Sequence, residues 1–505
     1  MSKNTAQVAF NALTLAYPVT GETTNTVFVI GRTLRGPDND PKDLITSVPQ
    51  FVSIFGDEDP NHDFPTQCMK AIRAGASLRV CRVVGSSADV SSTAVIATSG
   101  AVGLFKFESK EKGDYTNDIE VTVKAASSGS ANYFDLEIED TITGEKETYQ
   151  NLIVSQYGSV APYNYLKQVT DYSRMVKPIY SDISGIASQP RPANNTYTMT
   201  GGADDPAELA DFTGVQGSKT GFYAFDDYTD SYMIAAPGED ETSLDGLASV
   251  GGAYANGRQD LVYFQHLDNG HSTVSTITTE VGTLGVTHSY MGVIGGGAYY
   301  TDTTNKKVVT KQNLGEVLGI IAKSLANYGY WVSPTNQLRG KLPTPVGVVN
   351  NFGSPNRLSE LNQLANLGVN MVINRHGVNM LWDFYSRGSD STPEKFLTVV
   401  FTKIYLKRTL VPYLESFLGE PNVPTTWSSM YHGAKKFLDG LLGKAFNSYS
   451  WVGDQFAPNV NTLSYNNSVD VLQGKYKIQL TASLVVPMVE ITLNFIIDNT
   501  SVQTS

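Results

Sequence analysis

Cysteine is nearly missing from this chain: Cys68 and Cys81 are the two among 505 residues. Two thiols cannot build a disulfide framework, and no histidine pair lies beside them at zinc-ligand spacing. They read as small buried hydrophobes in a protein made in a reducing compartment. Long apolar runs are also missing. None approaches the ~18–20 residues that span a bilayer, and no charged stretch leads into an apolar core as in a secretion leader. Membrane insertion is therefore not expected, and the sequons at Asn194, Asn466 and Asn499 read as chance. Runs of Lys or Arg are absent as well. With 37 basic against 49 acidic side chains and a net charge of −12, direct binding to nucleic acid is not expected.

Motifs for catalysis are equally scarce. No G-x-S-x-G elbow occurs. The six histidines (62, 266, 271, 288, 376 and 432) sit in no recognisable acid–base context. His266 and His271 flank Asp268, which reads as a strand end and its loop. Gly292-Val293-Ile294-Gly295-Gly296-Gly297 lacks the G-x-G-x-x-G spacing that lets backbone amides face a pyrophosphate, so it reads as a turn. Gly440–Ala445 lacks the Ser/Thr that would hold magnesium and reads as a helix end. No catalytic residue, cofactor or metal is expected.

What is present is local structure in an ordered series. Val27–Gly31 is a buried strand. Gly36-Pro37 opens a polar loop. Ser47–Gln50 is a capping-box pattern for a short helix that Gly56 can close. Asp63 can cap a second helix, carrying Phe64, Cys68, Ala71 and Ile72 and ending at Gly75. Leu78–Val84 is a second buried strand. From about residue 93 the texture changes to short strands at even spacing (Leu104–Glu108, Ile119–Val123, Tyr133–Glu139, Thr148–Val154), so residues 97–190 read as an inserted β-sandwich. Alternating β/α signals resume near residue 200, with strands at Ser231–Ala236 and Asp260–Gln265 and helices at Leu244–Asn256 and Thr310–Tyr328. Further helices lie within Phe396–Leu418 and at Trp427–Leu442. Both ends carry strand patterns: Val8, Phe10, Leu13 and Leu15 in residues 1–20, and two strands at the other end, Tyr476–Val486 with Ile478, Leu480 and Leu484 on one face, then Val489, Ile491, Leu493, Phe495 and Ile497 after Pro487. Alternation of that kind asks for a sheet to join.

The order of these signals resembles the contractile-tail sheath proteins. The resemblance rests on the IGR strand, the GP loop and the helix ending AGA before an R-V-C-R-V strand. It continues in Tyr330-Trp331-Val332-Ser333-Pro334, in the passage Leu361-Asn362 to Leu381-Trp382-Asp383, and in Glu420-Pro421-Asn422. Asp383 stands where that family usually has glycine, and the family's proline-glycine-valine start is absent. The resemblance implies a subtilisin-like α/β domain (residues 21–96 and 191–357) interrupted by the β-sandwich, a C-terminal α+β domain (358–505) and extended terminal arms. It implies a non-enzymatic tail subunit that stacks with copies of itself in helical rings around a tail tube. Contraction then drives the tube through a host envelope. Tube, baseplate and tail terminator proteins are the implied partners, and a virion tail assembled in the host cytoplasm is the implied setting. The arm residues named above would add strands to neighbouring subunits. Lys403, Lys407, Arg408, Lys435 and Lys436 form a basic neighbourhood that could face the tube or be a solvated surface. The sheath of a phage-tail-like bacteriocin or injection particle is a reading in the same mechanical class. A secreted α/β hydrolase would need a leader and a triad, and an adhesive β-rich virion protein is at odds with the C-terminal helices.

Overall fold

The structure is a computed structural model. It describes residues 19, 21, 24–59, 61–96, 102–153, 167–180, 191–239, 244–302, 306–452 and 473–488. The first unit runs β1 (Thr26–Gly31), β2 (Leu44–Ile45), α1 (Val48–Phe55), α2 (Phe64–Ala74) and β3 (Ser77–Arg82). Val27, Phe28, Val29 and Ile30 are all fully buried, as expected of a parallel strand covered on both faces. β1 pairs with β3 in parallel, Val27 opposite Leu78 and Ile30 opposite Cys81. Both cysteines are buried and free, and burial pushes both thiols up.

Two helix starts differ from the sequence pattern. Ser47 Oγ accepts from the Gln50 N–H at 3.4 Å, but the Gln50 side chain accepts from Thr46 N–H at 2.9 Å, so the capping box is only half formed. Asp63 makes no cap hydrogen bond. Its carboxylate accepts instead from Gln67 Nε2 (2.6 Å) and Lys311 Nζ (2.7 Å). A cation from a distant hairpin outcompetes the local amides.

The chain then leaves the sheet for an all-β unit with its own core. It comprises β4 (Val90–Ile96), β5 (Val102–Lys112), β6 (Ile119–Ala125), β7 (Phe134–Asp140), β8 (Lys146–Leu152), the short α3 (Lys167–Tyr172), β9 (Val176–Tyr180) and β10 (Asn195–Thr198). One antiparallel sheet has the order β10-β6-β7-β8 and the other β4-β5-β9. The strand of β10 passes from the first sheet to the second, where Ser92 and Thr200 exchange backbone hydrogen bonds of 2.8 and 3.1 Å. Alternate residues Val121, Val123, Leu136 and Ile138 point into the core and are at most 2% exposed. β4 and β10 lie outside residues 97–190, so the all-β unit is wider at both edges than the composition change suggests.

The sheet resumes with α4 (Leu209–Thr213), β11 (Met233–Ala235), α5 (Leu247–Arg258), β12 (Val262–His266), α6 (Val274–Thr283) and β13 (Met291–Gly295). β14 (Ala298–Asp302), β15 (Lys307–Lys311), α7 (Leu314–Tyr328), α8 (Asn336–Arg339), β16 (Gly347–Val348), α9 (Leu358–Asn366), β17 (Val369–Arg375) and β18 (Val378–Leu381) follow. The main sheet has the order β18-β17-β13-β12-β11-β1-β3-β2. Its six inner strands are parallel, and both edge pairs are antiparallel. Strand order reverses at β1, the arrangement of doubly wound α/β sheets. Two expectations change here. Gly292–Gly295 is a central buried strand, and only Gly296-Gly297 turns. The boundary expected at residue 358 falls inside the sheet, because α9 is the crossover that brings β17 alongside β13, Val293 opposite Val369.

α7 packs closely on α2 through Gly315 and Gly319. A Cβ at Gly315 would lie 2.0 Å from the Gln67 carbonyl oxygen, and one at Gly319 2.5 Å from that of Ala71. Beside this contact the buried Glu316 carboxylate accepts from Thr344 N–H (2.8 Å), Thr344 Oγ1 (2.9 Å) and the Tyr300 hydroxyl (3.2 Å). These three hydrogen bonds leave little freedom between α7, the β14 hairpin and the segment at Thr344.

α10 (Leu397–Glu415), α11 (Pro424–Leu441), β19 (Phe446–Val452) and β20 (Gln479–Leu484) complete the described elements. α10 joins the sheet's own core: Phe401 stacks on Phe264 and Phe384, and Tyr405 on Tyr330.

Candidate functional site

The C-terminal helices hold the five basic residues singled out above. α10 presents two exposed lysines on its outer side. Lys403 Nζ lies 2.7 Å from Glu394 Oε1. Lys407 is exposed and takes part in no ion pair among the described residues. Arg408 is committed within the chain. It pairs with Asp260 at 3.3 Å, donates to the Thr229 carbonyl and lies 4.4 Å from the centre of the Tyr232 ring. On α11, Lys435 pairs with Asp439 at 2.5 Å one turn on, and Lys436 is exposed. Among the described residues the basic neighbourhood thus reduces to Lys407 and Lys436 as surface cations outside any ion pair, with Lys403 and Lys435 partly neutralised.

α11 and α10 are tied by Tyr413, whose hydroxyl lies 3.1 Å from both the Ser429 and Met430 carbonyl oxygens. The turn between them explains Glu420-Pro421-Asn422. Asn422 Oδ1 accepts from Trp427 Nε1 at 2.7 Å, and its amide donates to the Lys475 carbonyl at 3.4 Å. Trp427 stacks on Tyr476 at 5.0 Å. One asparagine therefore sets both the start of α11 and the approach to β20.

β19 and β20 form an antiparallel pair, Tyr449 opposite Ala482 and Ser450 opposite Thr481, with an irregularity at Phe446/Ser448. Leu480, Ala482 and Leu484 are half-buried on one face while Gln479, Thr481 and Ser483 are exposed. Tyr449 O–H donates to Asp439 at 2.6 Å and fixes the pair on α11. Neither strand has a second partner among the described residues. A pair of strands alone is marginally stable in water, and among the described residues its outer edges present unpaired amides and carbonyls. β19 was not legible as a strand, although Tyr449 and Trp451 alternate with serines. The arm residues Val8, Phe10, Leu13, Leu15, Val489, Ile491, Leu493, Phe495 and Ile497 lie outside the described residues.

The histidines flanking Asp268 are held apart from one another. His266 is buried with Nε2 3.3 Å from Asn313 Oδ1, and His271 pairs with Glu280 at 2.9 Å. Among the described residues, no group of three or more His, Cys, Asp or Glu is placed to hold a metal ion, and no helix is long and apolar enough to cross a membrane.

Asp383, beyond the end of β18, is half-buried. Burial without a compensating cation pushes its carboxyl up to about 7. In the unfolded chain it titrates near ~3.9. Between those values the folded state binds the extra proton, so stability falls as pH rises through this window. Asp383→Asn is expected to remove that fall and to raise stability at pH 8 by on the order of 1–2 kcal/mol, less than the full shift implies because solvent screens a half-buried group. Urea midpoints of parent and variant at pH 5 and pH 8 check this. An unchanged pH slope in the variant would assign the effect to other groups.

No family model matches the sequence, and no curated protein matches it. Solved structures do. A sheath tail protein from Listeria innocua is similar at 12% identity and a TM-score of 0.58, over 92% of this chain and 96% of its own. The contracted sheath of an extracellular contractile injection system, PVC, is similar at 11% identity and a TM-score of 0.56, over 99% of both chains. The contracted helical sheath of the anti-feeding prophage is similar at 14% identity and a TM-score of 0.55, over 99% of this chain and 100% of its own. At such low identity the agreement concerns the fold, and over nearly its whole length this chain has the fold of contractile-tail sheath proteins.

Proposed function

We propose that this chain is a structural sheath subunit that polymerises with copies of itself into a helical tube and works by contraction, without a catalytic step. The observation that carries the reading is end-to-end likeness to solved sheath subunits, covering 99% of both chains in the contracted PVC sheath. Support of a different kind comes from the β19–β20 pair. Two strands whose outer edges are unpaired among the described residues call for added strands, and the two terminal segments of the sequence have the alternation of added strands. In this reading an arm of one subunit extends the sheet of the next. The all-β unit is a peripheral domain of the subunit, and the C-terminal helices face a tail tube. Tube, baseplate and terminator proteins are the partners, and a particle tail assembled in the producing cell is the setting. Energy is stored at assembly as a metastable packing of rigid subunits and released when that packing changes.

The reading predicts assembly without nucleotide or metal. Light scattering of the purified chain in EDTA, with no ATP, should rise with concentration. Dependence on either additive would contradict it. Whether the particle carries a genome is a separate matter. The likeness to injection-system sheaths favours a phage-like particle as the second reading, and capsid and terminase genes beside this one would decide for a phage.

Lys407 and Lys436 are the cations proposed to meet an acidic tube. Reversing both to Glu should weaken co-assembly with the tube protein several-fold, and more at low salt, where repulsion is unscreened. Co-sedimentation at two salt concentrations checks this. Equal binding at both would return these lysines to a solvated face.

A further inference from the structure

The loop leaving β1, residues 33–37, is gripped from two sides. From the sheet, Arg82 at the end of β3 is 2% exposed. Its guanidinium donates to the carbonyls of Thr33 (3.2 Å) and Gly36 (3.1 Å). The same guanidinium reaches into the all-β unit, donating to the Lys112 carbonyl at 2.9 Å and lying 5.7 Å from the centre of the Tyr115 ring. From that unit, Glu111 accepts from the Gly36 N–H at 3.2 Å and from the Tyr115 hydroxyl. Arg35, in the same loop, pairs with Asp140 at the end of β7, at 2.9 Å. One buried cation and one half-buried carboxylate thus join β3, the loop and the all-β unit, and each loses a partner if the all-β unit moves off the loop.

The covalent connection between the two parts could swing without such a grip. Entry and exit segments run side by side, Gly85 N–H to Asp205 O at 2.9 Å and Asp89 N–H to Ala203 O at 3.0 Å. Paired linkers hold two bodies close but leave a hinge about their common line. The contacts to loop 33–37 come from a third segment and oppose that hinge. We infer that the Arg82–Glu111–Tyr115 clasp, with Arg35–Asp140, locks the all-β unit onto the α/β sheet in one orientation, so that the two move as a single rigid body. The inference is independent of the sheath reading.

Spin labels at Thr143→Cys in the all-β unit and Ser275→Cys on α6 test it. Both positions are exposed, and the native cysteines are fully buried and so stay unlabelled. Labelled full-length chain is diluted into unlabelled chain, so that only intramolecular distances are read by pulsed electron resonance. The parent should give one narrow distance distribution. Glu111→Gln combined with Tyr115→Phe should at least double its width, with circular dichroism unchanged. Arg35→Ala, which leaves Arg82, Glu111 and Tyr115 in place, provides a milder variant should the double one fail to fold, and it should also broaden the distribution. A broad distribution in the parent, or an unchanged width in the folded variants, would overturn the clasp.

Discussion

Removing residues 1–17 is expected to abolish polymer growth and leave a folded, soluble monomer. A terminal strand without its sheet adds little to the isolated fold. Donated to a neighbour, it replaces water at an unpaired edge with a ladder of backbone hydrogen bonds and buries alternate side chains. Breaking the other arm with Leu493→Pro should have a comparable effect, since proline removes a ladder donor and clashes with a paired neighbour. The second arm carries the larger apolar load. Val489, Ile491, Leu493, Phe495 and Ile497 at roughly 1.5–3 kcal/mol each amount to on the order of 7–15 kcal/mol gross, before the cost of ordering the strand. Sedimentation and circular dichroism of both variants separate the outcomes. Folded monomers that do not polymerise support exchange between subunits. Unfolding of Leu493→Pro would assign that strand to the subunit's own β19–β20 sheet and leave residues 1–17 as the donor.

Gly315→Leu should strongly destabilise the α/β body. The first added carbon alone would sit 2.0 Å from a backbone oxygen of α2, which cannot rotate away as a side chain would. α7 would have to move off α2, pulling Glu316 from Thr344 and opening the core around Val317, Leu318 and Ile321, all fully buried. Overpacking a core costs ~1–3 kcal/mol when neighbours can adjust; here the obstacle is main chain, so a loss above about 3 kcal/mol is expected. Gly319→Ala should cost less, its nearest obstacle being 2.5 Å away. Urea unfolding of the two variants ranks them, and a Gly315→Leu midpoint equal to the parent's would contradict the close helix contact.

Strands and helices that obey one period were legible in the sequence. Val27–Gly31, Leu78–Val84 and most of the expected helix Thr310–Tyr328 are cases where local pattern and tertiary need coincide, although that helix starts only at Leu314 because Thr310 and Lys311 end β15. The misreadings have a common cause in residues whose role is set by distant partners. Asp63 has the chemistry of a cap but is held by Lys311. The glycines of β13 suggest a turn, yet a Cβ at Gly292 would collide with the Phe264 ring 2.6 Å away, so the strand is glycine-rich because its neighbour is bulky. Arg408 sits among lysines along the sequence but is folded back on Asp260. The break in texture near residue 358 marks a crossover helix, which in composition looks like the start of a new domain. Of the candidate surface, the amphipathic α11 and the alternation in β20 could be read directly, whereas β19 could not, because its serines mask a weak aromatic alternation.

Electron microscopy of the purified full-length protein in EDTA decides whether this chain builds a sheath. Hollow tubes or stacked rings with a regular helical repeat are expected at raised protein concentration. Monodisperse particles the size of a single subunit at every concentration, with the protein folded, would contradict the sheath reading.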